Sequence, residues 1–331
     1  MSEALQFYLA TLVVFMAVDV LACWGLNLQF GVAGVLNFAF VVLQAAGGYT
    51  AAVLTLGPSS ATGGFQHYVF GATLPFPIPT IVAGIVGALF AGVIGLVVLR
   101  RLRRDYQAMV LLVLSLIATH VATNQRGLVN GDAGLVLIPK PLELQLALDP
   151  VVYQWVYAGF CVALAAFGFF VMQRVTRAPF GRTLRAIRDN EPVAAALGRN
   201  PMRYQLTAMV VGGCFAGVSG ALLVQYIGAY GPGSWTYPTT FLYLTAILVG
   251  GTGNNVGVLF GAAVVASLIN EGTRFLPEIG FPGLTGAIQW IAVGLLTLAF
   301  LWFRPQGLFP ERRTRRQRDA GPPAIATAGG Q

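Results

Sequence analysis

Thr80-Ile-Val-Ala-Gly-Ile-Val-Gly-Ala-Leu-Phe-Ala-Gly-Val-Ile-Gly-Leu-Val-Val-Leu99 carries no charge, and Arg100-Arg-Leu-Arg-Arg104 follows it directly. About 20 apolar residues are what a helix needs to cross the hydrocarbon of a bilayer. An arginine block at one end marks the side that stays in the cytoplasm. Comparable apolar runs cover residues 5–24, 106–122, 151–172, 204–227 and 284–303, with shorter ones at 239–249 and 256–269. The chain has 331 residues, 56% of them hydrophobic and only 10% charged, with a mean hydropathy of +0.72. Soluble domains carry about 25% charged residues, so most of this surface faces lipid. The 41 glycines sit mainly inside the apolar runs, where they allow helix backbones to approach closely. The fold class is therefore all-α, a polytopic integral membrane protein with roughly 8–10 transmembrane helices.

Residues 28–56 are less regular. They carry Gly31, Gly34, Asn37, Gln44, Gly47 and Gly48, too polar for a lipid-facing helix and too long for one span. They form either one tilted helix or two short pieces with a break. Of the 20 Lys and Arg residues, 17 fall in residues 100–104, 174–203 and 304–318. The positive-inside rule puts these three regions, and with them the C-terminus, in the cytoplasm. The N-terminus is outside if residues 28–56 cross once and inside if they cross twice. This distribution explains the net charge of +8 by membrane topology, so the bilayer is a partner and nucleic acid is not. The stretch Gly31-Val-Ala-Gly-Val-Leu36 echoes Gly217-Val-Ser-Gly-Ala-Leu222, as an internal repeat or as two independent small-residue faces.

Chemistry-bearing clusters are sparse. Cys23, Cys161 and Cys214 lie in apolar runs without CxxC spacing and read as small buried hydrophobes. His67 and His120 have no acidic or thiol neighbour at metal-ligand spacing. No phosphate-binding Gly-x-x-x-x-Gly-Lys motif is present, and Lys140 is the only lysine, so the chain is not an ATPase by itself. No catalytic, metal or cofactor site is expected on this chain, and any ATP and Mg belong to partners. Residues 1–6 lack the basic flank of a cleavable signal peptide, so the first apolar run is expected to be retained. Asp19 lies inside that run, where an ionised group costs at least about 2.5 kcal/mol near the bilayer centre. It is expected to face the protein interior or an interface. A secondary transporter or channel would need a set of such groups, and only Asp19 and Glu271 are candidates.

The most ordered polar stretch is Pro179-Phe-Gly-Arg-Thr-Leu-Arg-Ala-Ile-Arg-Asp-Asn-Glu-Pro-Val-Ala-Ala-Ala-Leu-Gly-Arg-Asn-Pro201. Leu184, Ile187 and Arg188 suit a short amphipathic helix. Asn190-Glu-Pro breaks it, Pro192 starts a second helix with Asn190 or Glu191 as cap, and Gly198 ends that helix. The result is a slim alanine ridge between two spans. It either seats in a groove of a cytoplasmic partner or is a solvated loop whose arginines only set topology.

This segment resembles the coupling loop of the bacterial branched-chain amino-acid permeases, the LivM family, at Gly181, Arg182, Leu184, Ala186, Ile187, Arg188, Asn190, Glu191, Ala194, Ala195, Leu197 and Gly198. Leu26-Asn-Leu-Gln-Phe-Gly31 with Gly48-Tyr-Thr-Ala51 resembles the family's opening segment. Val249-Gly-Gly-Thr-Gly-Asn254 resembles a late glycine-rich hairpin, and Phe303-Arg-Pro-Gln-Gly-Leu-Phe309 the exit from the last span. Asn37-Phe-Ala-Phe40 departs from the Gly-His that members often carry there. The resemblance implies a permease subunit of an ABC importer in the bacterial cytoplasmic membrane, moving branched-chain or related amino acids. Its partners would be two ABC ATPase subunits, a homologous second permease and an extracytoplasmic substrate-binding protein. Alternatives are a permease for urea, amides or another small polar solute, or an ATP-independent secondary transporter.

On this reading residues 1–310 form the permease domain, with the coupling loop at 174–203, and residues 311–331 a basic, disordered tail. The ATPase-coupling residues are Arg182, Leu184, Arg185, Ile187, Arg188, Asn190, Glu191, Ala194, Ala195, Ala196 and Gly198. The glycine-broken stretch 27–49 is the candidate translocation path, through Asn27, Gln29, Asn37, Gln44 and Tyr49. Irregular backbone at membrane depth is tolerated where it is buried or lines a cavity. The same stretch equally suits packing against the second permease.

Overall fold

The computed structural model describes residues 3–58, 65–141, 149–269, 284–304 and 306–311. Helix α1 (Glu3–Asn27) runs on through a π-helical turn, Leu28–Val32, and stops. Then come α2 (Phe40–Leu56), α3 (Ile78–Arg101), α4 (Arg104–Asn124) and α5 (Pro150–Arg177). Two short helices, α6 (Pro179–Asp189) and α7 (Glu191–Ala196), precede the long α8 (Pro201–Ile227). The chain continues with α9 (Tyr237–Gly250), α10 (Asn255–Gly261) with a π-helical extension Ala262–Ile269, and α11 (Leu284–Phe303). Among the described residues six helices are long and apolar enough to cross a membrane. The count of roughly eight to ten expected from the apolar runs includes the shorter helices α2, α9 and α10.

Prolines set several of the starts. Pro79, Pro150, Pro179 and Pro201 each occupy the first turn of their helix, where the missing N–H costs nothing. Helix α8 is the central post and packs on α3, α2 and α1. Its glycines bring backbones together. A Cβ at Gly217 would run into the Ala83 carbonyl oxygen of α3, one at Gly213 into Ala91, and one at Gly220 into the Gln44 carbonyl oxygen of α2. Gly87 and Gly47 close the same contacts from α3 and α2.

This packing orients the molecule. On α3 Gly84 meets Val218 and Cys214, whereas Gly95 meets Met209 and Leu206, so α3 and α8 are antiparallel. The arginines ending α3 therefore lie beside the start of α8, where α6 and α7 feed in. Glu311, after α11, reaches back to α6. The first two basic regions and the exit of the last helix thus share one end of the bundle. At the other end Thr11 of α1 pairs with Tyr226 of α8, 2.6 Å hydroxyl to hydroxyl.

Residues 28–56 prove to be broken, but the first piece belongs to α1. Gly34 turns the chain with φ +73°, a conformation few other residues adopt at low cost. The Asn37 side chain then caps the amide of Ala39 at 3.0 Å, and α2 begins. Its amide at Val41 donates to Thr240 Oγ1 of α9 at 3.3 Å, satisfying a helix-start N–H that has no partner of its own. The stretch contributes one separate shorter helix, α2, and the start of α1 lies at the end remote from the arginines. The echo between Gly31–Leu36 and Gly217–Leu222 does not survive in space. The second copy is regular helix inside α8, whereas the first spans the π-turn and the break. Among the candidate carboxylates, Glu271 lies outside the described residues, as does the tail beyond Glu311.

Candidate functional site

Helices α6 and α7 form as their sequence dictates. Asn190, extended at φ −155°, accepts the Val193 amide at 3.2 Å and caps α7. Gly198 ends it in the left-handed region at φ +78°, with the Arg199 amide bonded back to the Ala194 carbonyl at 3.1 Å. Three of the expected coupling residues point into their own chain. Leu184 and Ile187 are fully buried and Ala194 nearly so. Each buried aliphatic side chain is worth about 1.5–3 kcal/mol, so α6 is docked against the bundle. Arg182, Asn190, Ala195, Ala196 and Gly198 are exposed, and Glu191 is half-buried. Two apolar side chains outside the expected coupling set complete the outer surface: Val193, 54% exposed, and Leu197, 77% exposed, the latter matched to the family's loop from sequence.

The two remaining arginines do something else. Arg185 Nε pairs with Glu311, and Arg188 Nη2 reaches the other oxygen of the same carboxylate at 2.9 Å. Arg188 also donates to the carbonyl of Gly31 in the π-turn, and its stem lies against Gly34, where a Cβ would come within 2.8 Å of Arg188 Cγ. Burial works against the Arg188 charge, but the Glu311 hydrogen bond and the charges of Glu311 and Asp189 outweigh it and raise its pKa. The glycine-rich loop joins the same knot. Gly253 packs against the Glu311 carboxylate, and its amide donates to Asn27 Oδ1 at 2.9 Å. Leu308 and Phe309 amides bond to the carbonyls of Val249 and Gly250 at 2.8 and 3.0 Å. Asn255 Nδ2 holds Thr176 and Gln173, at the end of α5, at 2.9 and 3.1 Å.

The five path candidates are all buried, and all are bonded within the chain. Asn27 bridges Gly253 and Asn255. Gln29 donates to the Met209 carbonyl at 3.1 Å and accepts from Asn37 at 2.8 Å. Gln44 donates to Tyr243 Oη at 3.2 Å, and Tyr49 accepts from Trp235 Nε1 at 3.1 Å. They form a polar seam from the knot up along α2. Asp19 adjoins it, its two oxygens accepting from Tyr243 Oη at 3.3 Å and Ser267 Oγ at 3.1 Å. Beside the break, a 500 Å³ cleft lined by Phe30, Leu36, Phe38, Phe241, Leu248 and Trp290 is almost wholly apolar.

The family model for the permease component of branched-chain amino acid transport systems matches residues 8–301. The chain belongs to that family. LivM of Salmonella typhimurium, a high-affinity branched-chain amino acid transport system permease protein, is 29% identical to this permease over 320 residues, 90% of the chain and 69% of the relative. LivM of Escherichia coli is 30% identical over 312 residues, 87% of the chain and 67% of the relative. A xylose transport system permease protein of Escherichia coli, XylH, is 30% identical over 136 residues, 40% of the chain and 33% of the relative. No solved structure matches. The permease is thus a multi-pass membrane component of a transport family, and its match covers α1 through most of α11.

Proposed function

We propose that this permease translocates branched-chain or related amino acids inward across a bacterial cytoplasmic membrane, driven by ATP hydrolysis on two partner ATPase subunits. A homologous second permease completes the pore, and an extracytoplasmic binding protein delivers the solute. ATP and Mg belong to the ATPases. The arginine-rich end, with the C-terminus, faces the cytoplasm.

One observation carries the reading: α6 is fastened to the bundle through Leu184 and Ile187, while the α7 ridge and Leu197 stand exposed beyond it. A ridge fixed to its own spans and open to a partner transmits a rigid-body push. The polar seam of Asn27, Gln29, Asn37, Gln44 and Tyr49 is proposed as one wall of the path in a closed arrangement. Opening would exchange its internal hydrogen bonds for bonds to a zwitterion, and the adjoining apolar cleft suits an aliphatic side chain.

Ala195→Asp tests the reading. Ala195 is exposed, so the variant should insert and fold normally, lose co-purification of the ATPases and lose uptake. Retained ATPase binding together with unimpaired uptake would remove α7 as the coupling element.

A further inference from the structure

The knot at the arginine-rich end joins four stretches distant in sequence: α6, the π-turn and break after α1, the loop between α9 and α10, and the segment leaving α11. Glu311 stands at its centre. Its carboxylate takes both Arg185 and Arg188 of α6 and lies against Gly253. Arg188 passes the link on to Gly31 and Gly34. Gly253 passes it to Asn27, at the end of α1.

We infer that Glu311 is the positioning residue that locks the coupling helix to the broken end of α1, so that displacement of α6 opens or closes the polar seam. The inference rests on reading α6 and α7 as the ATPase contact.

The physical argument is one of stiffness. Leu184 and Ile187 hold α6 to the bundle by apolar burial, which is non-directional and lets a helix slide. The hydrogen bond from Arg188 Nη2 to the Glu311 carboxylate is directional, because the planar donor accepts little change of angle, and Arg185 adds the attraction of a second charge. The carbonyl of Gly31 lies in a π-turn just before a left-handed glycine, a backbone that can rearrange without breaking a regular helix. The directional contact therefore joins the moving handle to the part of a span best able to change shape. The pair is only partly buried, with side chains 24–28% exposed, so it can part and re-form during a cycle. With Glu311 neutralised, Arg188 would keep the Gly31 carbonyl and Arg185 the Thr176 carbonyl, and the two cations would repel each other.

The test uses the assembled transporter in proteoliposomes and counts solute taken up per ATP hydrolysed. Glu311→Gln and Glu311→Ala should keep the ATPases bound and hydrolysing, and lower the ratio about tenfold, within the range of ordinary coupling energies. Glu311→Asp, which preserves the charge, should restore most of it. A ratio unchanged in both neutral variants would overturn the inference. So would equal losses of uptake and hydrolysis, or release of the ATPases, because either marks a merely structural role. Ala195→Asp keeps the two readings apart. If it leaves the ATPases bound, the coupling assignment fails whatever Glu311 does. If it releases them while the Glu311 variants leave the ratio intact, only the present inference fails.

Discussion

Two regions of this permease are built from the same residue type to opposite ends. Along the α3–α8 seam, Gly84, Gly87, Gly213 and Gly217 lie inside regular helices and bring two backbones into contact. Around the end of α1, Gly31 and Gly34 lie where the helix widens and stops, and side-chain amides take over the bonding that regular helix would have supplied. The first region is held mainly by backbone-to-backbone fit, with one buried side-chain hydrogen bond, Thr80 to Gln225 at 3.1 Å, near its end. The second is held by hydrogen bonds that can each be exchanged for another. Membrane helices gain little from hydrophobic burial against one another, since lipid is equally apolar. Rigidity in such a bundle therefore comes from the close fit of small residues.

The largest effect should follow from Gly217→Leu. Its side chain would have to displace the α3 backbone at Ala83 and Gly84. Overpacking of this kind should cost more than about 3 kcal/mol, read as loss of monodisperse protein in detergent. If the variant folds with unchanged thermal stability, the seam is not the rigid element. A middle effect should follow from Asn27→Ala, which strands the buried Gly253 amide and removes the bond to Asn255. A loss of about 1–3 kcal/mol is expected, with uptake reduced more than expression. Stability and uptake falling in equal proportion would mean that the break is only scaffold. The smallest effect belongs to Leu295→Ala on α11, where the side chain is 61% exposed. The isolated chain should change by less than about 0.5 kcal/mol. A large loss that appears only in the assembled transporter would place the second permease on that face.

Much of this was legible in the sequence because it is local. The arginine blocks and first-turn prolines set span edges, and Asn190, Pro192 and Gly198 set out α7 within a residue of where it lies. The family resemblance rested on four such local stretches, and the family match spans all but the ends of the chain. What escaped is long-range. Gly31 and Gly34 allowed a break within residues 28–56, but nothing near Leu28 announces that the first piece continues α1 through a π-turn to Val32. The path candidates were polar and therefore conspicuous, but their partners on α8, α9 and α10 lie roughly 180 to 230 residues away. Glu311 opens what reads as a solvated tail, and its arginines are more than 120 residues upstream.

Helix α11 leaves most of its surface open, yet Thr297 on it faces Thr245 of α9 at 2.7 Å, hydroxyl to hydroxyl. Inside hydrocarbon no water competes for such a pair. Greasy faces slide over one another with little preference for azimuth, whereas two hydroxyls meet at a single setting. The threonines therefore act like a key in a shaft: they contribute little to whether the last helix stays, and they decide which flank it turns outward.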